Sequence, residues 1–167
     1  MEYIRKRRRR MNTLELYIQR NFNIKNVVKG DDFQYDENDD TLTYRANCDE
    51  IQDKAFNEDI EATFGYKVNH PFALSILHEI GHSLTLPRIS DEQKEEIMAE
   101  KEKIEEDIEA LEDDDINGYI AILKTRYFKL ADEVAATLWA VWFANEHPRV
   151  VEILEKLGEW ARNEENK

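Results

Sequence analysis

The sequence predicts a mostly helical α+β protein with a small N-terminal β-sheet packed on a central helix. Three observations predict it. The 167 residues hold only five Gly and three Pro, so turn punctuation is sparse and long helices are expected. Residues 26–47 carry short apolar or alternating runs around a polar turn, the pattern of β structure. From Pro71 onward apolar residues recur at helical spacing almost without interruption.

The elements follow in order. "NTLELYIQRNF" (12–22) reads as a short helix, with Asn12 or Thr13 as its cap. Within 26–47, "TLTYRAN" alternates and "DENDD" supplies the turn. Residues 48–62 are acidic and compatible with a helix, and "TFGYKVN" (63–69) reads as β-like again. A sheet of two to four strands is therefore expected. Residues 71–86 form the next helix, with Pro71 suited to its first turn and Pro87 to its end. "SDEQ" at position 90 fits a capping box opening a helix over 90–114. Its apolar stripe is Ile97, Ile104, Ile108 and Leu111, which predicts one buried edge on a surface helix. Residues 116–147 read as one apolar core helix, and Trp139, Trp142 and Phe143 are assigned to the core rather than to a partner surface. Pro148 breaks it before a last amphipathic helix ending near Arg162.

Charge and composition narrow the function. The formal net charge is −14, so the bulk of the molecule should repel nucleic acid. Between Asp91 and Asp115 stand fourteen acidic and three basic residues, a net of −11. This stretch (90–115) reads as an inserted acidic helical hairpin, suited to a basic protein partner. A single cysteine, Cys48, excludes an internal disulfide and a thiolate zinc cluster, and fits a reducing compartment. No apolar run approaches the length of a membrane span, and nothing resembles a secretory signal, so an intracellular location is expected. Residues 12–167 read as one domain behind a basic, disordered arm (1–11). Positions 5–10 of that arm are six consecutive positive charges. Three readings of it stay open: a solvated tail, an extension upstream of a start at Met11, or a phosphate-binding or targeting arm.

The chemistry concentrates in "ALSILHEIGHSLTLP" (73–87). Two of the four histidines, His78 and His82, lie four apart with Glu79 directly after the first. On a helix, residues four apart share a face with Cβ atoms about 6 Å apart. Two such imidazoles can bind one metal ion with bonds of roughly 2.0–2.1 Å. Glu79 is rotated about 100° from His78, beside such a metal without binding it, where a general base belongs. Ser75 and Thr85 share the histidine face, and Leu77, Ile80 and Leu84 share a face that can pack on the sheet. Gly81 is out of place in a helix, at about 1 kcal/mol against alanine, unless another backbone comes close. Shuffling this composition produces the motif in on the order of one chain in a hundred, which favours a metal site over two satisfied histidines.

A catalytic zinc needs a third ligand. His70 precedes the helix and is expected to point away, and His147 follows a helix end. Glu133 stands out because it lies in the apolar "LADEVAATLWAVWFA", on a face with the small residues Ala136 and Ala140. A carboxylate there is expensive unless paired or metal-bound. It reads as a ligand or, alternatively, as a solvent-facing glutamate. Asp132 reads as a partner to a ligand histidine, or as solvated.

His78-Glu79-Ile80-Gly81-His82, followed by a helix bearing Glu133-Val134-Ala135-Ala136, resembles the zincin metallopeptidases of the gluzincin type. Among these it is most similar to compact intracellular and phage-borne forms such as the ImmA/IrrE-like group. The match covers roughly positions 40–145 but only about six specific residues. The resemblance implies a twisted sheet on the active-site helix and a zinc-bound water attacking a peptide carbonyl. It also implies His78, His82 and Glu133 as zinc ligands and Glu79 as base and acid. The chain departs from that pattern in two ways. Glu133 lies 51 positions after His82, with the acidic segment filling the gap. Tyr119 and Tyr127 are the candidates for an oxyanion-stabilising residue, and their spacing suits core positions better. A metzincin pattern is excluded, because position 88 is Arg88.

The sequence thus leads to a zinc-dependent metallopeptidase acting on an intracellular protein or peptide substrate. The alternative is an acidic protein-binding module, DNA-mimic or inhibitor-like, on a zincin scaffold without turnover. Nucleic acid enters only through the arm 5–10 as a tether.

Overall fold

A computed structural model describes residues 10–165, so positions 5–9 of the basic arm lie outside the described residues. Helix α1 (Thr13–Phe22) opens on a reciprocal capping box. The Asn12 side chain accepts from the Glu15 amide at 2.9 Å, and the Glu15 carboxylate accepts from the Asn12 amide at 3.2 Å. Asn12 also donates to the Tyr44 hydroxyl at 2.7 Å, and that hydroxyl donates to Glu15 at 3.1 Å. One local cap therefore ties α1 to the sheet and satisfies a buried glutamate.

The sheet has three strands, β1 (Asn26–Lys29), β2 (Gln34–Asp36) and β3 (Thr41–Tyr44), in the order β1-β3-β2. β3 is central, parallel to β1 with Val27 opposite Leu42, and antiparallel to β2 with Tyr35 opposite Leu42. The expected "DENDD" turn joins β2 to β3, with Asp40 at φ 47°. The Tyr35 hydroxyl donates to the Asp40 carboxylate at 2.9 Å and the Lys25 amide donates to it at 3.0 Å. Alternation in β3 sends Leu42 and Tyr44 into the core.

Residues 63–69 are not a strand. Thr63 and Phe64 finish α2 (Ile51–Phe64), and Gly65 ends it in the left-handed region at φ 64°. The segment after it carries no ladder. Tyr66 and Val68 are half-buried against the core, so the β-like alternation reflects side-chain burial without strand pairing.

Helix α3 (Pro71–Thr85) is buried from Phe72 to His82. The His70 side chain makes no capping bond at its N-terminus. Glu155 of the last helix, α7 (Pro148–Glu165), accepts from the Ala73 amide at 2.9 Å instead. Leu77 and Ile80 join the core as expected, whereas Leu84 is largely exposed.

The acidic helix α4 (Asp91–Glu109) begins with the expected Ser90–Gln93 capping box. Ile104 is fully buried, and Ile97, Ile108 and Leu111 are half-buried, the predicted narrow edge. The span 116–147 is two helices. α5 (Ile116–Thr125) and α6 (Ala131–Glu146) are separated by a 3-10 turn at Tyr127–Lys129. No Gly or Pro marks the break. It buries Phe128 against Ala55 and Leu123 and places Asp132 and Glu133 in the first turn of α6, where the helix dipole favours carboxylates. Trp139 and Phe143 pack on the core, but Trp142 is exposed. Gly81 is explained by close approach: a Cβ there would lie 2.5 Å from the Ala136 carbonyl oxygen of α6.

Candidate metal centre

Helices α3 and α6 bring His78, His82 and Glu133 together, all buried. His78 Nε2 lies 3.1 Å from His82 Nε2 and 3.0 Å from Glu133 Oε2, and His82 Nε2 lies 3.5 Å from Glu133 Oε1. A tetrahedral ion with bonds of roughly 2.0–2.1 Å spaces its ligand atoms about 3.3 Å apart. Each of these three spacings is close to that value, with Glu133 meeting His78 through Oε2 and His82 through Oε1, and two imidazoles with one carboxylate form a donor set suited to zinc. Three such atoms within 4.8 Å can hold one metal ion.

The surroundings orient these groups. His78 Nδ1 lies 3.1 Å from the Thr137 hydroxyl, on α6 one turn beyond Glu133. That contact turns the other ring nitrogen toward the cluster. Phe56 of α2 packs edge-on to the His78 ring at 4.9 Å. His82 Nδ1 is buried without a hydrogen-bond partner among the described residues. Burial by itself would raise the Glu133 pKa, but hydrogen bonds from the two imidazoles override it and hold the carboxylate well below its usual range. Burial would lower His82, and the Glu133 carboxylate overrides this to raise it.

Glu79 is buried on the wall of the same cavity. Its carboxylate accepts no hydrogen bond among the described residues. Burial raises its pKa against the pull of His78 and His82, the direction that suits a general base. The cavity has a volume of about 760 Å³, within the range of ligand sites. The edge strand β2 forms one wall and α4 another.

The remaining candidates divide between the site and its surroundings. Asp132 is buried, and it meets neither a histidine nor bulk solvent. Lys101 of α4 donates to its Oδ2 at 2.7 Å. The same ammonium donates to Glu133 Oε1 at 3.1 Å. Tyr119 and Tyr127 both pack against the apolar cluster around Leu123, as their spacing suggested, and Tyr127 also lines the cavity, with Lys101 Nζ 5.5 Å from its ring centre. Burial and then the Glu133, Glu79 and Asp132 carboxylates raise the Tyr127 hydroxyl pKa. His70 sits at the start of α3 without a side-chain capping bond, the His147 ring lies tilted against Phe143 at 4.4 Å, and neither joins the cluster. Sequence reasoning missed Thr137 and Lys101. Thr137 was within reach as the polar residue one turn after Glu133, but nothing local singles out Lys101 among the charges of α4.

Comparison of the chain with family models, curated proteins and solved structures finds no match. No helix among the described residues is long and apolar enough to cross a membrane.

Proposed function

We propose that this protein is an intracellular zinc-dependent metallopeptidase, similar in its site to the gluzincins. The carrying observation is the convergence of His78, His82 and Glu133 in one buried cluster with Glu79 on the same cavity wall. Zinc held there would supply Lewis acidity and bring the pKa of a bound water toward 7. Glu79 takes the proton of the attacking water as the new C–O bond forms. It then delivers that proton to the amine as the C–N bond breaks. The edge strand β2, which lines the cavity, would offer its backbone to an extended peptide segment. The single Cys48 suits a reducing compartment.

Two measurements test this. Elemental analysis of untagged protein should find about one zinc per chain and lose it in His82→Ala. Glu79→Gln should retain zinc and lose hydrolysis of a protein substrate such as casein. Hydrolysis at the parent rate by zinc-loaded Glu79→Gln would remove the mechanism.

A second reading has its own observation. The outer face of α4 is acidic and exposed. That face suits a basic protein partner with no need for turnover. Neutralising its outward carboxylates should then abolish the biological effect while Glu79→Gln leaves it intact.

A further inference from the structure

We propose that Lys101 is a positioning residue for Glu133, which makes the acidic helix α4 part of the metal centre; this rests on the metal reading above. Asp132 and Glu133 are consecutive buried carboxylates in the first turn of α6. Burying two such charges needs compensating donors. Among the described residues, Lys101 is the one lysine or arginine that hydrogen-bonds to either, and it reaches both. It occupies Glu133 Oε1 at 3.1 Å, while Oε2 lies 3.0 Å from His78 Nε2. The ammonium thus selects which carboxylate oxygen faces the first histidine and holds the side chain in that rotamer.

Asp132 explains how a cation is tolerated there. An uncompensated ammonium beside the cluster would repel a divalent ion. Paired with Asp132 at 2.7 Å, Lys101 brings its hydrogen-bond geometry with its charge offset. The placement of α4 agrees. Lys94, Ile97, Met98, Lys101 and Glu105 share the face that lines the cavity. Lys94 pairs with Glu37 at 2.5 Å, and Arg126 pairs with Glu100 at 3.1 Å and with Asp107, which secures the helix on both sides of Lys101. Lys103 points away, with its side chain 67% exposed.

The test is zinc affinity of the full chain by competition with a chromophoric chelator, together with the visible spectrum of the cobalt-substituted protein. Lys101→Met should weaken zinc by roughly 10–100-fold, as for other groups that orient a ligand, and shift the cobalt bands. Lys101→Arg should recover part of the loss. Lys103→Met, an equal change in net charge, should leave affinity and spectrum unchanged. Lys101→Met could unfold by leaving two buried carboxylates uncompensated, so the charge-balanced Lys101→Met/Asp132→Asn is measured beside it and should also bind weakly. Parent-like affinity and spectrum in either folded variant would overturn the role of Lys101 alone. A parent protein that binds no zinc would overturn the metal reading, and this role with it.

Discussion

Glu133 concentrates the opposing forces of the site in one side chain. Burial disfavours its charge, and two imidazoles and one ammonium restore it. Glu133→Gln keeps the volume and removes the charge, so zinc affinity should fall by more than ~100-fold, beyond the range of outer partners. Chelator competition checks this, and a smaller loss would make Glu133 a bystander. Thr137→Val removes only the hydroxyl that meets His78 Nδ1. It should weaken zinc by roughly 10–100-fold with the fold intact. Cys48 offers a pH test away from the metal. Burial, with Asp53 and Glu155 adding to it, pushes its thiol up to about 11. The unfolded chain releases that proton first, from about pH 8.5, so this contribution to stability is present below pH 8.5 and is lost as pH rises toward 11. Alkylation by iodoacetamide at pH 8 should be at least ~10-fold slower than for an unfolded chain, and equal rates would contradict the shift.

At the scale of elements, the contact between α3 and α6 governs the site, because the three candidate ligands are divided between them. Gly81 permits that contact. In an isolated helix Gly81→Ala would stabilise by about 1 kcal/mol. Here the added methyl meets the Ala136 backbone, which cannot swing aside as a flexible side chain would. The variant should lose about 1–3 kcal/mol in denaturant unfolding and bind zinc less tightly, since α6 carries Glu133. An unchanged midpoint would mean that the helices separate without cost. Helix α3 also depends on α7 for its cap. Glu155→Ala leaves the Ala73 amide without its partner and should cost about 0.5–2 kcal/mol, measured the same way.

For the whole molecule, the metal is expected to act as a structural ligand as well as a chemical one. The candidate donors come from α3 and α6, so zinc would cross-link these two helices, and α4 would be tied to the cluster through Lys101. A ligand that binds only the folded state at a thousand times its Kd stabilises by about 4.1 kcal/mol. For a chain of this size that corresponds to a fall in Tm of roughly 8–16 °C on full chelation. Thermal unfolding with and without a strong chelator measures it. A Tm indifferent to chelator would mean that the cluster holds no metal in solution.

His78, Glu79 and His82 were legible because their relation is local: one helix with 3.6 residues per turn sets it wherever the helix lies. The caps at Asn12 and Ser90 are local in the same way. Glu133 was legible from its environment, a charge among apolar residues that needs a partner. Pairings between distant segments were not legible. β1 pairs directly with β3 although β2 comes between them in the sequence, 63–69 makes no ladder, and the 116–147 helix breaks where Phe128 finds its pocket. Lys101 is one of three basic residues in a run of acids, and only the seating of α4 over the first turn of α6 distinguishes it. The sequence alone determined the helix that carries the motif and the residue types able to bind a metal, since periodicity and side-chain chemistry act within a single element. The tertiary structure decided which carboxylate meets the histidines and which cation holds it, since both depend on contacts between segments that packing alone brings together.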